Sequence, residues 1–212
     1  VSEDLVIIPK ATLSRLPLYL RVLNELKHIN MRFISSDEMA ARLGITSSQL
    51  RKDLSYFGGL GIRGTGYDVE YLLGRIKDIL GISRHWRMAV IGAGKLGTAL
   101  ARYPGLGQHG ITVAALFDVD ESKVGWKAGD VPIFHLSELP AKKEELNLEI
   151  VTLTIPAQVA QKVCDLALQA GFKAIWNFAP VRLDVPGDVL VQYEDLVVGV
   201  LTLSHLLSRR LG

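Results

Sequence analysis

The sequence predicts an α/β protein in two parts, a small helical unit followed by a doubly wound parallel sheet. Three observations carry that expectation. The stretch Met88-Ala89-Val90-Ile91-Gly92-Ala93-Gly94-Lys95-Leu96-Gly97 sets a short apolar strand against a glycine turn and a helical pattern. From there to Tyr193, apolar runs of strand length alternate with helical stretches, the pattern of a parallel sheet covered by helices on both faces. Before it, helical segments punctuated by Ser, Thr and Gly lead into a glycine-rich loop.

In the first part, Ser14 can cap a helix whose apolar face is Leu16, Tyr19, Leu20, Leu23 and Leu26. Ser35 with Glu38, and Thr46 with Gln49, each fit a capping box. They open two short helices, Asp37 to Leu43 and about Ser47 to Phe57, separated by Gly44. This is the layout of a helix-turn-helix. On the second helix Leu50, Leu54 and Phe57 turn inward. Its other face offers Ser48, Arg51, Lys52 and Ser55, with Ser47, Gln49 and Tyr56 at the margins, a set suited to phosphates and base edges. An ordinary solvated face would carry similar cations. The following stretch Gly58 to Tyr67 has five glycines in nine residues and reads as a wing, with Arg63 at its tip and Thr65 beside it poised for a minor groove. A helix from Val69 to Leu80, stopped by Gly81, closes a winged-helix domain over 1–81, with 82–87 as linker.

In the second part, Gly92, Gly94 and Gly97 match the dinucleotide fingerprint in its required strand, turn and helix context. Gly92 makes the turn, Gly94 lets the backbone approach a pyrophosphate, and Gly97 lets helix and strand pack closely. The helix pattern runs from Lys95 to Tyr103. Val113 to Phe117 ends in Asp118, 21 residues after Gly97, where a carboxylate accepts ribose hydroxyls and repels a 2′-phosphate, favouring NAD(H). Further strands are expected at 131–134, 148–153, 174–176 and 189–193, with a helix from about Gln158 to Ala170. Ligands of such sheets lie beyond the carboxyl ends of the strands, so Thr154, Pro156, Asn177 and Ala179 are expected to line the crevice of a Rossmann-type domain over 88–195. Residues 196–212 form a helix apolar nearly all round, too short to span a membrane and expected to bury itself against another subunit.

Bulk properties narrow the function. The 212 residues carry a net charge of +2, and residues 1–87 hold 13 Lys/Arg against 9 Asp/Glu, placing the excess of positive charge in the first part. A single cysteine, Cys164, excludes an intrachain disulfide and a clustered-cysteine metal site. With no basic signal-like start among residues 1–10 and no long apolar run, a cytoplasmic protein is expected, without membrane or metal. A small NAD-dependent oxidoreductase is one alternative. Against it, the second part leaves no room for a substrate domain and the five histidines form no catalytic spacing, so no catalytic residue is assigned. A coenzyme A-binding module is another, since such domains share the glycine turn; Asp118 argues against it.

Helix-turn-helix, wing and fingerprint together resemble the Rex family of bacterial redox-sensing repressors. The resemblance rests on Gln49 to Gly58, Arg63 to Tyr67, Gly92 to Gly97, Phe117 to Asp120 and Asn177 to Pro180, and spans nearly the whole chain. It implies a homodimer with exchanged C-terminal helices, bound to palindromic double-stranded operators of respiratory and fermentative genes and released by NADH. It also implies a state-dependent contact network that by motif falls on Arg21, Tyr103 and Asp195, with Tyr103 also beside the cofactor. The next residue, aromatic near the nicotinamide in some relatives, is Leu196 here.

Overall fold

The structure, a computed structural model, describes residues 8–211; the reading of residues 1–7 and the last position of the terminal helix fall outside them. The chain divides between Arg84 and His85 into two compact units.

The first unit opens with a single turn, α1 (Lys10–Leu13), and the longer α2 (Leu16–His28). Leu16, Tyr19, Leu20, Leu23 and Leu26 of α2 are all buried, as their spacing requires. Ser14 is not its cap. The Ser14 hydroxyl donates to the Ala11 carbonyl, ending α1, and α2 starts from Arg15 without a side-chain cap. Strand β1 (Phe33–Ile34) precedes α3 (Ser36–Leu43) and α4 (Ser47–Ser55). Ser35 and Thr46 do cap these helices, accepting from the amides of Glu38 and Gln49 at 3.1 Å. The reciprocal halves of the capping boxes are not made: Glu38 pairs forward with Arg42, and the Gln49 amide donates to Asp53. An attractive partner one turn on wins over the backbone one turn back. Helix α4 stops at Ser55, before the expected Phe57. The glycine loop forms a hairpin, β2 (Gly61–Ile62) and β3 (Gly66–Asp68), and β3 also pairs with β1, a strand too short to show in the sequence pattern. Helix α5 (Val69–Ile79), capped by Asp68, completes this winged helix.

The second unit starts with β4 (Trp86–Ile91), so residues 86 and 87 are strand and not linker. Trp86 and Arg87 extend the ladder because they pair with Ile111 and Thr112 of β5 (Ile111–Asp118), itself longer than expected. Between them lie α6 (Lys95–Ala101) and α7 (Pro104–Gln108). The single expected helix to Tyr103 breaks because Pro104 pushes Tyr103 into an extended conformation, φ −79° and ψ 111°. Then come β6 (Lys127–Ala128), β7 (Val131–His135), a 3₁₀ turn at Leu136–Glu138, α8 (Leu139–Glu145), β8 (Ile150–Leu153), α9 (Ala157–Gln169), β9 (Ala174–Asn177), β10 (Leu190–Tyr193) and α10 (Leu196–Leu211). The sheet order is β10-β9-β8-β4-β5-β7-β6, parallel except for β6. Leaving aside β6, strand order reverses at β4, the doubly wound arrangement in which the crevice opens between the first and fourth strands. Phe117, Val151, Leu153, Ala160, Cys164, Ala167 and Phe172 pack one face of the sheet. Helix α10 differs from every other: Leu196, Val200, Leu201, Leu203 and Leu206 are each more than half exposed.

Candidate DNA-reading face and dinucleotide cleft

Helix α4 is amphipathic as expected, with Leu50 and Leu54 buried. Ser48, Arg51, Lys52 and Ser55 are exposed; Ser47, Gln49 and Tyr56 are half-buried; Arg63 and Thr65 stand exposed on the wing. Three of these side chains already have partners. Arg51 donates to Ser36 of α3 at 2.9 Å, the Ser55 hydroxyl donates to the Lys52 carbonyl, and Gln49 is engaged by Asp53.

Asp53 is the residue that sequence reasoning missed. It is fully buried on the inward face of α4. Its carboxylate accepts from Thr12, from Arg15 Nε at 2.6 Å and Nη2 at 2.7 Å, from the Tyr19 hydroxyl at 2.6 Å and from Gln49 at 2.9 Å. Burial pushes this acid upward, but those hydrogen bonds, Arg15's foremost, outweigh it and hold the pKa at about 2. Burial beside the same carboxylate drives the Tyr19 hydroxyl well above its ordinary range. The cluster thus fastens the exposed helix to α1 and α2 by a buried, satisfied charge pair. An acid between Leu50 and Leu54 was the available signal.

In the second unit the fingerprint turn is built as its glycines demand. Gly92 has φ +103°, and a Cβ there would lie 2.6 Å from the Thr154 carbonyl oxygen. A Cβ on Gly97 would lie 1.9 Å from the Gly92 oxygen, so only glycine lets α6 approach the turn. Above Gly94, by contrast, the space is open, and α6 begins there with no side-chain cap on its first amides. Thr154 locks the other wall, its hydroxyl donating to the carbonyls of Ile91 and Gly92. Between these walls lies a cleft of about 440 Å³ lined by Gly92, Gly94, Asp118, Thr154 and Pro156 together with apolar Ile91, Val119, Leu136, Ile155, Val159 and Leu166. A bare glycine turn, uncapped amides and an acid at the end of β5 fit a dinucleotide. Ala93, Lys95 and Leu96 complete the turn: Ala93 is buried and gives its amide to Asp118 at 2.8 Å, Lys95 is exposed and Leu96 half-buried.

Asp118 is 9% exposed. Burial raises its pKa, yet hydrogen bonds from the amides of Asp120 and Ala93 and from Lys123 together bring it below the ordinary carboxylate value, so it stays charged.

Asn177 and Ala179 do not line the cleft. Asn177 is fully buried and spends its side chain on the loop that follows, donating to the carbonyls of Ala179 and Val181 and accepting from the Ala179 amide. Its role is to shape the chain after β9. Tyr103 is 60% exposed and lines a different cleft, of about 620 Å³, with Arg102, Thr112 and Asp130. Asp195 accepts from the Val197 amide at the start of α10, and among the described residues no hydrogen bond or ion pair joins it to Tyr103. Arg21 is exposed on α2. Cys164 is buried, and burial with nearby Asp165 pushes its thiol up to about 11, so it is held as an unreactive packing residue. Among the described residues no group of His, Cys, Asp or Glu could hold a metal ion, and no helix is long and apolar enough to cross a membrane.

Known proteins match both units. A family model described as "Putative DNA-binding protein N-terminus" matches residues 7–55, and one described as "CoA binding domain" matches residues 83–181. The redox-sensing transcriptional repressor Rex of Chloroflexus aurantiacus is 43% identical over 201 residues, 95% of each chain. Among solved structures, RSP in complex with β-NAD+ and operator DNA superposes with a TM-score of 0.91 at 37% identity, covering 96% of this chain and 94% of that one. RSP in complex with β-NADH gives 0.87 at 36% identity, covering 96% of each. With its winged helix, its fingerprint cleft and this full-length similarity, the chain belongs to the Rex family of redox-sensing transcriptional repressors, regulators rather than enzymes.

Proposed function

We propose that this chain is a cytoplasmic repressor that reads the NADH/NAD+ ratio, binding palindromic operators of respiratory and fermentative genes and letting them go when NADH binds. The observation that carries this reading is the presence in one chain of an exposed cationic helix with a glycine wing and of a fingerprint cleft closed by a charged Asp118. The relative RSP has been solved with NAD+ on operator DNA and separately with NADH, which supports the same pair of ligands here. Ser47, Ser48, Lys52, Tyr56, Arg63 and Thr65 meet the duplex, with Arg51 and Ser55 contributing as their present partners allow. The apolar walls of the cleft favour the reduced, uncharged nicotinamide, because burying the cationic oxidised ring without a partner costs several kcal/mol. Helix α10, apolar and uncovered, is the surface through which two copies associate. Arg21, Tyr103 and Asp195 are the groups whose contacts change with state.

The coenzyme A reading has one observation behind it, the model matching residues 83–181. Calorimetric titration separates the two: NADH is expected to bind more tightly than NAD+, and coenzyme A not to compete. Coenzyme A binding without NADH binding would refute the sensor.

A further inference from the structure

Asp118 is less available to a ribose than an aspartate at this position ordinarily is. Its Oδ2 accepts from the Ala93 amide at 2.8 Å and from Lys123 Nζ at 3.0 Å, and its Oδ1 accepts from the Asp120 amide at 3.0 Å. A carboxylate offers about four acceptor sites, so the carboxylate as found has room for roughly one more donor. Two ribose hydroxyls cannot both be received while Lys123 stays where it is. The ammonium itself still has donors to give: it lies 3.6 Å from Asp120 Oδ2 and its side chain is 38% exposed.

Lys123 also forms the wall between two spaces. On one side is the dinucleotide cleft with Asp118. On the other is a recess of about 360 Å³ lined by Ala93, Thr98, Arg102, Trp126 and Lys127. That recess holds three cations and no carboxylate in its lining. Among the described residues the side chains of Arg102 and Lys127 make no hydrogen bond or ion pair, and Trp126 is 71% exposed. A group attached to the ribose beside Asp118 therefore meets an ammonium first and an acid-free cationic recess beyond it.

We propose that Lys123 sets how sharply the cleft separates NADH from 2′-phosphorylated NADPH, with the recess it shares with Arg102 and Lys127 receiving the additional phosphate. This inference rests on the cleft being an NAD(H) site. The usual logic is that the acid excludes a 2′-phosphate by repulsion. Here the acid carries its own counter-ion, and a phosphate dianion can draw Lys123 away from Asp118 in exchange for a stronger charge-assisted bond. Without Lys123, the dianion would face Asp118 and Asp120 with nothing between.

The test is calorimetric titration of the full chain with NADH and with NADPH, comparing wild type with Lys123→Met, Lys123→Arg and Arg102→Met. The ratio of NADPH to NADH dissociation constants is expected to rise about tenfold in Lys123→Met, to stay near wild type in Lys123→Arg, and to rise by a smaller factor in Arg102→Met. Equal weakening of both nucleotides in Lys123→Met, or a ratio that does not move, would overturn the proposal and leave the NAD(H) reading standing. Absence of NADH binding by the wild type would sink both.

Discussion

Asp53 shows how one side chain can decide the quality of a DNA-reading surface. Five donors converge on a buried carboxylate in α4, and all but Gln49 come from α1, α2 and the turn between them. Removing the acid strands Arg15 and Tyr19 without their partner, so Asp53→Ala should destabilise the first unit by about 3 kcal/mol. The pH dependence follows from the same bonds. The carboxyl is depressed from 3.8 to about 2, so its contribution is complete above the higher value and is lost as pH falls through the lower. Denaturant titrations should show the wild type losing roughly 2 kcal/mol from this acid between about pH 4 and pH 2, a loss absent from Asp53→Ala. Equal stability of the two proteins at pH 7 would contradict this role. The same residue marks a limit of sequence reading. Its partners Thr12, Arg15 and Tyr19 lie 34 to 41 positions away, and no local periodicity records a pairing across that distance. Asn177 misled for a related reason: it stands at the carboxyl end of a strand, as a ligand contact would, but its side chain closes the loop that follows. Gly92 and Gly97 were legible because the backbone leaves no other residue possible there.

At the scale of elements, long apolar runs and capping serines and threonines announced most helices and strands, whereas short ones stayed hidden. Helix α8 follows a 3₁₀ turn and is dominated by lysine and glutamate, so it shows little apolar face, and β6 has two residues. The wing was legible from its glycines, and its function is testable. Among the described residues the Arg63 side chain makes no hydrogen bond or ion pair, and it stands exposed in the hairpin turn, so Arg63→Ala should weaken operator binding and reduce the salt-dependence slope by about 1. A slope identical to wild type would remove Arg63 from the DNA contact. Helix α10 exposes large aliphatic side chains on every side, a surface that soluble monomers rarely leave uncovered. Placing glutamate at Leu203 and Leu206 should convert a dimer to a monomer in sedimentation velocity; a wild-type monomer would refute the dimer.

For the whole molecule, the two units gain meaning only if binding at one changes affinity at the other. Such coupling is reciprocal: a tenfold loss of operator affinity on NADH binding, about 1.4 kcal/mol, requires a tenfold loss of NADH affinity on operator binding. The doubly wound order supplies the cleft at its switch point, the winged helix supplies the reading face, and family membership joins them in one regulator. The most direct measurement is fluorescence anisotropy of a labelled palindromic AT-rich duplex at fixed salt, with NADH or NAD+ added to the preformed complex. The account predicts that NADH releases the duplex and that NAD+ opposes the release. Tight binding indifferent to both nucleotides would contradict it.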